Sequence, residues 1–166
     1  MYSNSNVDPN NYEYNPNSKI GIYIIHGFTS STREVKDLAK YLGNNGFHAV
    51  ANNLQGHGTN PEDCNRYKFT DWMQSVEQDF ANLLTSNDSI FVIGLSMGSI
   101  LAMHIASLFP INGAIFASSA INFQHKFQAN ILVPLLHKIY KYRPKKFSYP
   151  KNIRNEIKFM GYDVWP

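Results

Sequence analysis

The sequence lacks the features that mark membrane, secreted and disulfide-stabilised proteins. Its 166 residues include one cysteine, which cannot form an internal disulfide and is typical of a reducing compartment. There is no apolar run long enough to span a membrane, and the polar first twenty residues do not resemble a secretory signal. With 43% hydrophobic residues, a chain of this length can bury a substantial core. We therefore expect one soluble, cytoplasmic domain, and no role for Cys64, which lies in a polar stretch without a basic neighbour.

Charge is unevenly distributed along the chain. The net charge is +3, but residues 1–125 carry 6 basic and 10 acidic side chains, whereas residues 126–166 carry 9 basic and 2 acidic ones. A basic tail containing tyrosines could bind nucleic acid or an anionic membrane surface, or it could be a solvated face over the core. No recognition motif accompanies the charge. We therefore favour the solvated face and expect no nucleic-acid partner and no stable membrane insertion.

Short apolar runs alternate with amphipathic segments. The strands are expected at 20–25, 47–51, 89–93 and 113–117. The helices are expected from a capping box at Ser31–Glu34 to Gly46, from about Asp71 to Leu84, and from Met97 to Phe109. Such alternation predicts right-handed βαβ crossovers and a three-layer, doubly wound, mostly parallel α/β sheet.

The chain divides into three stretches of different character. Residues 1–18 form a polar arm with one short strand near Tyr12 to Tyr14, and residues 19–120 form the α/β core. The alternation stops after Ser119, and residues 121–166 form a basic segment with two helical or irregular stretches, near 127–142 and 150–160. No linker separates a second folding domain.

The strongest chemical signal is Gly94-Leu95-Ser96-Met97-Gly98, a G-x-S-x-G sequence between a predicted strand and a predicted helix. In that context the serine occupies a sharp, strained turn that exposes its hydroxyl. The two glycines allow the strand and the helix to pack closely. Ser96 is thus the candidate nucleophile. The backbone N–H of Met97, at the start of the helix, is a candidate oxyanion donor.

A second signal, His26-Gly27-Phe28-Thr29, ends the first buried strand. We interpret it as the other half of an oxyanion hole, in which Phe28 donates its N–H and Gly27 permits close backbone approach. His26, Gly27, Phe28 and Met97 are then the candidate substrate-binding residues. The competing interpretation is a strand-ending turn with a packed histidine.

Together with Gly56-His57-Gly58-Thr59 and Asp71-Trp72, these two segments resemble the α/β-hydrolase fold, and specifically the small bacterial carboxylesterase and monoacylglycerol lipase family. The resemblance is good over residues 18–125 and loose over 126–166. It implies hydrolysis of short to medium acyl esters by a serine nucleophile, with no cofactor and no metal. It also implies a small helical cap in the region 121–160.

The sequence departs from the family in the other two triad residues. In the family the order is serine, acid, histidine, and the last two each follow a further strand. After Ser96 this chain contains the acids Glu156 and Asp163 and the histidines His104, His125 and His137, none of them at the end of a predicted strand. We expect His104 to be a core histidine and His125 and His137 to be surface residues. Neither His26 nor His57 is expected to act as the base.

Two interpretations therefore remain. The chain is either a serine esterase cut short before its acid and histidine, or a catalytically inactive remnant that binds a ligand or a protein. Both predict a sheet that is incomplete at its C-terminal side. An open sheet edge of this kind favours self-association.

Overall fold

Over the described residues, the fold is a five-stranded sheet with helices on both sides. The computed structural model describes residues 7–121, 142–145, 161–162 and 164–166. The strands of the sheet are β1 Tyr12–Tyr14, β2 Ile20–Ile25, β3 His48–Ala51, β4 Ser89–Leu95 and β5 Gly113–Ala117. The helices are α1 Lys36–Asn44, α2 Pro61–Cys64, α3 Phe69–Leu84 and α4 Met97–Leu108. A separate two-stranded antiparallel sheet pairs β6 Arg143–Pro144 with β7 Val164–Trp165.

Parallel pairing dominates the large sheet. Its strand order is β1-β3-β2-β4-β5, and only β1 runs antiparallel to its neighbour. Strand β2 lies at the centre, and every residue after its first is buried. This arrangement confirms the predicted mostly parallel α/β fold. It also brings the carboxyl ends of β2 and β4 side by side, because Ile25 pairs with Gly94.

Successive side chains of β2 pack in two separate hydrophobic clusters, one on each face of the sheet. Ile22 and Ile24 pack on one face with Ala39 of α1. Tyr23 and Ile25 pack on the other face in a larger cluster that includes Phe80 of α3. Side chains alternate between the faces of a strand, so a wholly apolar run is what a strand covered on both sides requires.

The start of the first helix differs from the prediction. Residues Thr32–Glu34 form one 3₁₀ turn, and α1 begins only at Lys36. Ser31 does cap the turn, since its hydroxyl oxygen accepts from Arg33 N at 3.4 Å. The predicted capping box is wrong, however, because the Glu34 side chain is hydrogen-bonded to Gly27 rather than to Ser31.

Helix α4 is buried on one side and exposed on the other: Leu101 and Ile105 are fully buried, but Leu108 is 56% exposed. Cys64 lies in a polar stretch of sequence, but it ends the short helix α2 and is 2% exposed. Burial, followed by the nearby Asp63 carboxylate, raises the pKa of its thiol to about 12, which makes it chemically inert.

Both ends of the described chain pack on the core. Asp8 is buried and accepts from the hydroxyl of Tyr12 at 2.7 Å. Tyr162 and Val164 are also buried. The stretches predicted near 127–142 and 150–160 lie outside the described residues, apart from Tyr142. Among the residues that the structure does describe, no helix combines the length and the apolar character that crossing a bilayer demands.

Candidate active site

Ser96 occupies a strained turn between β4 and α4. Its backbone has φ 55° and ψ −118°, a left-handed conformation that is costly for any residue with a Cβ and that clusters at functional sites. The turn is attached to β5, because Ser96 N donates to Ala117 O at 2.9 Å. The Ser96 hydroxyl itself has no hydrogen-bond partner among the described residues.

Two glycines let α4 approach the sheet at this turn. A Cβ on Gly94 would lie 2.2 Å from Gly98 O, and a Cβ on Gly98 would lie 2.3 Å from Ile25 O. Both obstacles are backbone atoms, which cannot rotate away as a side chain could. The spacing of the predicted motif thus has a direct steric reason here, and it places the first turn of α4 against the end of β2.

The segment 26–30 forms a tight loop beside Ser96. Ser30 N donates to Gly27 O at 3.3 Å, and Gly27 N donates to Glu34 Oε2 at 2.8 Å. Thr29 has φ 61°, which is rare for a β-branched residue. Its N–H donates to His57 Nε2 at 3.1 Å. A Cβ on Gly27 would lie 3.3 Å from Ser96 Cβ, which shows how closely the loop and the serine approach.

Two backbone donors at this place have no acceptor among the described residues. Neither Phe28 N–H nor Met97 N–H makes a hydrogen bond to any residue that the structure describes. The N–H groups on both sides of Phe28, those of Gly27 and Thr29, are by contrast satisfied. Met97 N–H is open because the first N–H groups of a helix have no acceptor within it. Together with Phe28 N–H it forms a pair of donors beside Ser96 that suits an anion or a carbonyl oxygen.

His26 and His57 support the loops with neutral rings. Leu54 N donates to His26 Nε2 at 3.0 Å, so that nitrogen carries no proton and Nδ1 donates to Gly27 O at 2.8 Å.

The His57 ring has the same arrangement, with Nε2 accepting from Thr29 N–H and Nδ1 lying 3.3 Å from Gln55 O. Each Nε2 is therefore occupied and cannot take a proton from Ser96. His26 is fully buried, so its ring supports the loop, and its contact with substrate stays a prediction.

Burial controls the protonation of both rings. Desolvation, together with the neighbouring His57, lowers the pKa of His26 to about 3. Desolvation, together with the charge of Lys145, lowers the pKa of His57 to about 4. The two rings lie 5.1 Å apart between centroids, so a proton on one would repel a proton on the other. Both histidines are thus neutral at physiological pH.

Aromatic side chains pack around the loop at residues 26–30. Phe28 lies against Trp72 and stacks on Trp165, with centroid distances of 5.6 and 6.2 Å. Tyr162 N donates to Thr29 O at 2.8 Å, and the ammonium of Lys145 lies 4.5 Å from the Trp165 ring centre and donates to the Thr29 hydroxyl. The contribution of the C-terminal segment was not predicted, because nothing in residues 142–166 resembles an active-site motif.

The other sequence candidates lie elsewhere. His104 was expected in the core, but its side chain is 26% exposed and its Nε2 lies 2.6 Å from Glu77 Oε1. The remaining candidates, His125, His137, Glu156 and Asp163, lie outside the described residues. In the part that the structure describes, no three His, Cys, Asp or Glu side chains are grouped as metal ligands would be.

The comparison with protein families gives the assignment. The family described as serine aminopeptidase, S33, matches residues 16–160. The chain belongs to the serine aminopeptidase S33 family. Among curated proteins it is 36% identical over 109 residues to the thermostable monoacylglycerol lipase of Bacillus sp. strain H-257, covering 61% of this chain and 44% of the relative. It is 29% identical over 110 residues to a carboxylesterase of Bacillus subtilis strain 168, covering 66% and 44%.

Solved structures support the same fold. A structure from work on LipS and LipT, two metagenome-derived lipolytic enzymes, superposes with a TM-score of 0.79 at 24% identity, covering 98% of this chain and 64% of that one. Monoglyceride lipase from Saccharomyces cerevisiae gives a TM-score of 0.61 at 21% identity, covering 83% and 50%. The family model and the two curated relatives confirm the resemblance to the carboxylesterase and monoacylglycerol lipase family. The chain spans less than half the length of the two curated relatives.

Proposed function

We propose that this chain carries the nucleophile and the oxyanion hole of a serine hydrolase that acts on short to medium acyl esters. The observation that carries the proposal is the strained Ser96 beside Phe28 N–H and Met97 N–H, two backbone donors that have no partner in the part of the chain that the structure describes. The curated relatives include a monoacylglycerol lipase and a carboxylesterase, which favours a carboxylic ester as the substrate class. The single buried thiol is consistent with work in the cytoplasm.

The chemistry follows from this placement. Ser96 Oγ attacks the carbonyl carbon of the ester, its proton passes to a base, and the carbonyl oxygen becomes an anion held by the two N–H groups. The alcohol then leaves with a proton, and water hydrolyses the acyl-serine. No described histidine has a hydrogen bond to Ser96, so the base and its acid belong outside the described residues. Removing triad partners typically lowers turnover by about four to six orders of magnitude.

The test is covalent labelling, which needs less activation than turnover. We expect a fluorophosphonate probe to modify Ser96, as located by peptide mass spectrometry, because a serine facing two backbone donors stabilises the tetrahedral adduct. The Ser96→Ala variant should take up no label, and Ser107→Ala should label like the wild type, since Ser107 lies at the exposed end of α4. An unlabelled wild type with a native circular dichroism spectrum would refute the active hydrolase.

The second candidate is a catalytically inactive module that binds a ligand or a protein. The edge strand β5 favours it. Ile115 and Phe116 point to opposite faces of the sheet and are 59% and 40% exposed, and on its outer side β5 pairs with no strand among the described residues. From residue 89 to residue 125 the chain carries no Asp, Glu, Lys or Arg. Natural edge strands are usually protected by such charges.

This edge predicts self-association. We expect the apparent mass in size-exclusion chromatography with light scattering to rise with protein concentration, because uncharged edges can pair with each other. Ile115→Lys should restore a monomer by placing a charge on β5. Leu38→Lys is the matched control, since Leu38 is 41% exposed on α1, away from β5. A wild type that is monomeric at every concentration would contradict the prediction.

A further inference from the structure

The Glu34 side chain makes a hydrogen bond that its sequence context does not predict. It lies where a capping box would place it, three residues after Ser31, but its Oε2 accepts from Gly27 N at 2.8 Å. The contact joins the end of the 3₁₀ turn to the loop next to Ser96. Gly27 N–H is the donor immediately before Phe28 N–H, so this hydrogen bond acts on the backbone one residue from the open donor.

The Gly27–Phe28 peptide is held by its neighbours. On one side Glu34 binds Gly27 N–H, and at the carbonyl both His26 Nδ1–H and Ser30 N–H donate to Gly27 O, at 2.8 and 3.3 Å. Phe28 N–H is the group of this peptide that has no partner in the described part of the chain. Because a peptide is planar, the hydrogen bonds to Gly27 O fix the direction of Phe28 N–H, and the bond from Gly27 N–H to Glu34 limits the rotation of Gly27 that would turn this peptide.

The Glu34 backbone is itself anchored. Thr32 N donates to Asn53 Oδ1 at 2.9 Å, and Thr32 Oγ1 donates to Asn10 O at 2.6 Å. Val35, the next residue after Glu34, is buried at 4% exposure. These contacts fix the backbone of the turn from which the Glu34 carboxylate extends. A hydrogen bond to an ionised carboxylate is stronger than one between neutral groups, which suits a loop that contains a left-handed threonine.

Glu34 also lies close to the serine. A Cβ on Gly27 would lie 3.3 Å from Glu34 Oε2 and 3.3 Å from Ser96 Cβ. The carboxylate and the serine therefore flank the same glycine. We propose that Glu34 is a positioning residue of the oxyanion hole, which keeps Phe28 N–H directed at the reaction centre by binding Gly27 N–H. This inference rests on the proposed function of Ser96 and Phe28.

The first experiment compares labelling rates. In Glu34→Ala the buried Gly27 N–H loses its acceptor and the loop turns to find another, so we expect the rate of fluorophosphonate labelling at Ser96 to fall about 100-fold, as misplacing a catalytic group by about 1 Å can do. Glu34→Gln keeps an oxygen acceptor and should stay within about threefold of wild type. Asp37→Ala, on the exposed start of α1, is the control. Equal labelling of Glu34→Ala and wild type would overturn the proposal.

The second experiment does not depend on reactivity. In ¹⁵N–¹H spectra we expect Glu34→Ala to shift the amide resonances of both Gly27 and Phe28 and to accelerate hydrogen exchange at Gly27, whereas Glu34→Gln leaves them near their wild-type values. A change confined to Gly27 would overturn the positioning role. If Ser96 takes no label even in the wild type but Phe28 responds to Glu34→Ala, the proposed hydrolase function fails while the positioning role stands.

Discussion

Lowering the pH from 7 to 4.5 should reduce the free energy of unfolding by about 5 kcal/mol. His26 and His57 have folded pKa values of about 3 and 4, against about 6.5 in the unfolded chain. Below pH 6.5 the unfolded state binds two protons that the folded state excludes. Stability is therefore complete above pH 6.5 and is lost as the pH falls towards the folded values. Each group contributes about 2.7 kcal/mol at pH 4.5, at 1.36 kcal/mol for each pH unit.

Urea unfolding followed by circular dichroism at several pH values measures this effect. Between pH 6 and 4.5 the free energy should approach a slope of about 2.7 kcal/mol per pH unit, which corresponds to two protons. His57→Gln offers a matched variant, because the amide oxygen can still accept from Thr29 N–H but does not titrate. Its slope should be about half. A stability that stays constant from pH 7 to 4.5 would contradict the neutral, buried histidines.

Replacing Gly98 by alanine should destabilise the protein by about 3 kcal/mol. The new Cβ would lie 2.3 Å from Ile25 O and 2.5 Å from His26 O, so α4 must move away from β2. Inserting a carbon into a packed site typically costs 1–3 kcal/mol, and more where the neighbours cannot yield. Here the neighbours are the carbonyl oxygens of Ile25, in the central strand, and of His26, which follows it. These backbone atoms yield little, so we expect a destabilisation at the upper end of that range.

The same displacement should affect the reactive turn. Met97, the residue before Gly98, starts α4, so moving the helix moves one of the two donors proposed to hold the oxyanion. We expect slower labelling of Ser96 in addition to a lower urea midpoint. Ser107→Ala, at the exposed end of α4, is the control and should change stability by less than about 0.5 kcal/mol. Wild-type stability of Gly98→Ala would show that the close helix contact is not required.

Most of the sheet could be predicted from the sequence, and so could the turn at Ser96 and the loop at residues 26–30 of the candidate site. The run from Ile20 to Ile25 is almost wholly apolar, as is typical of a strand buried on both faces, and the glycines at 94 and 98 fit a close helix crossing. Periodicity and spacing suffice for such features because they depend on neighbours in the chain. The short β1 at Tyr12–Tyr14 was also expected from composition.

The rest depends on contacts between distant residues, which local patterns do not contain. Glu34 matches a capping box in its spacing, but the nearby Gly27 N–H competes for its carboxylate and binds it. Cys64 has polar neighbours in sequence and is nevertheless buried, because α2 turns it towards the core. Trp165 stacks on Phe28 across more than one hundred residues of chain, and no motif marks it.

The loop at residues 26–30 has a consequence for the order of folding. Its supports come from His57, Tyr162 and Lys145, which are 28, 133 and 116 residues from Thr29 along the chain. Closing such long chain segments has a high entropic cost and is slow compared with forming a helix. A refolding chain should therefore regain its helical circular dichroism well before Ser96 becomes reactive, so the reactive geometry is among the last parts of the molecule to form.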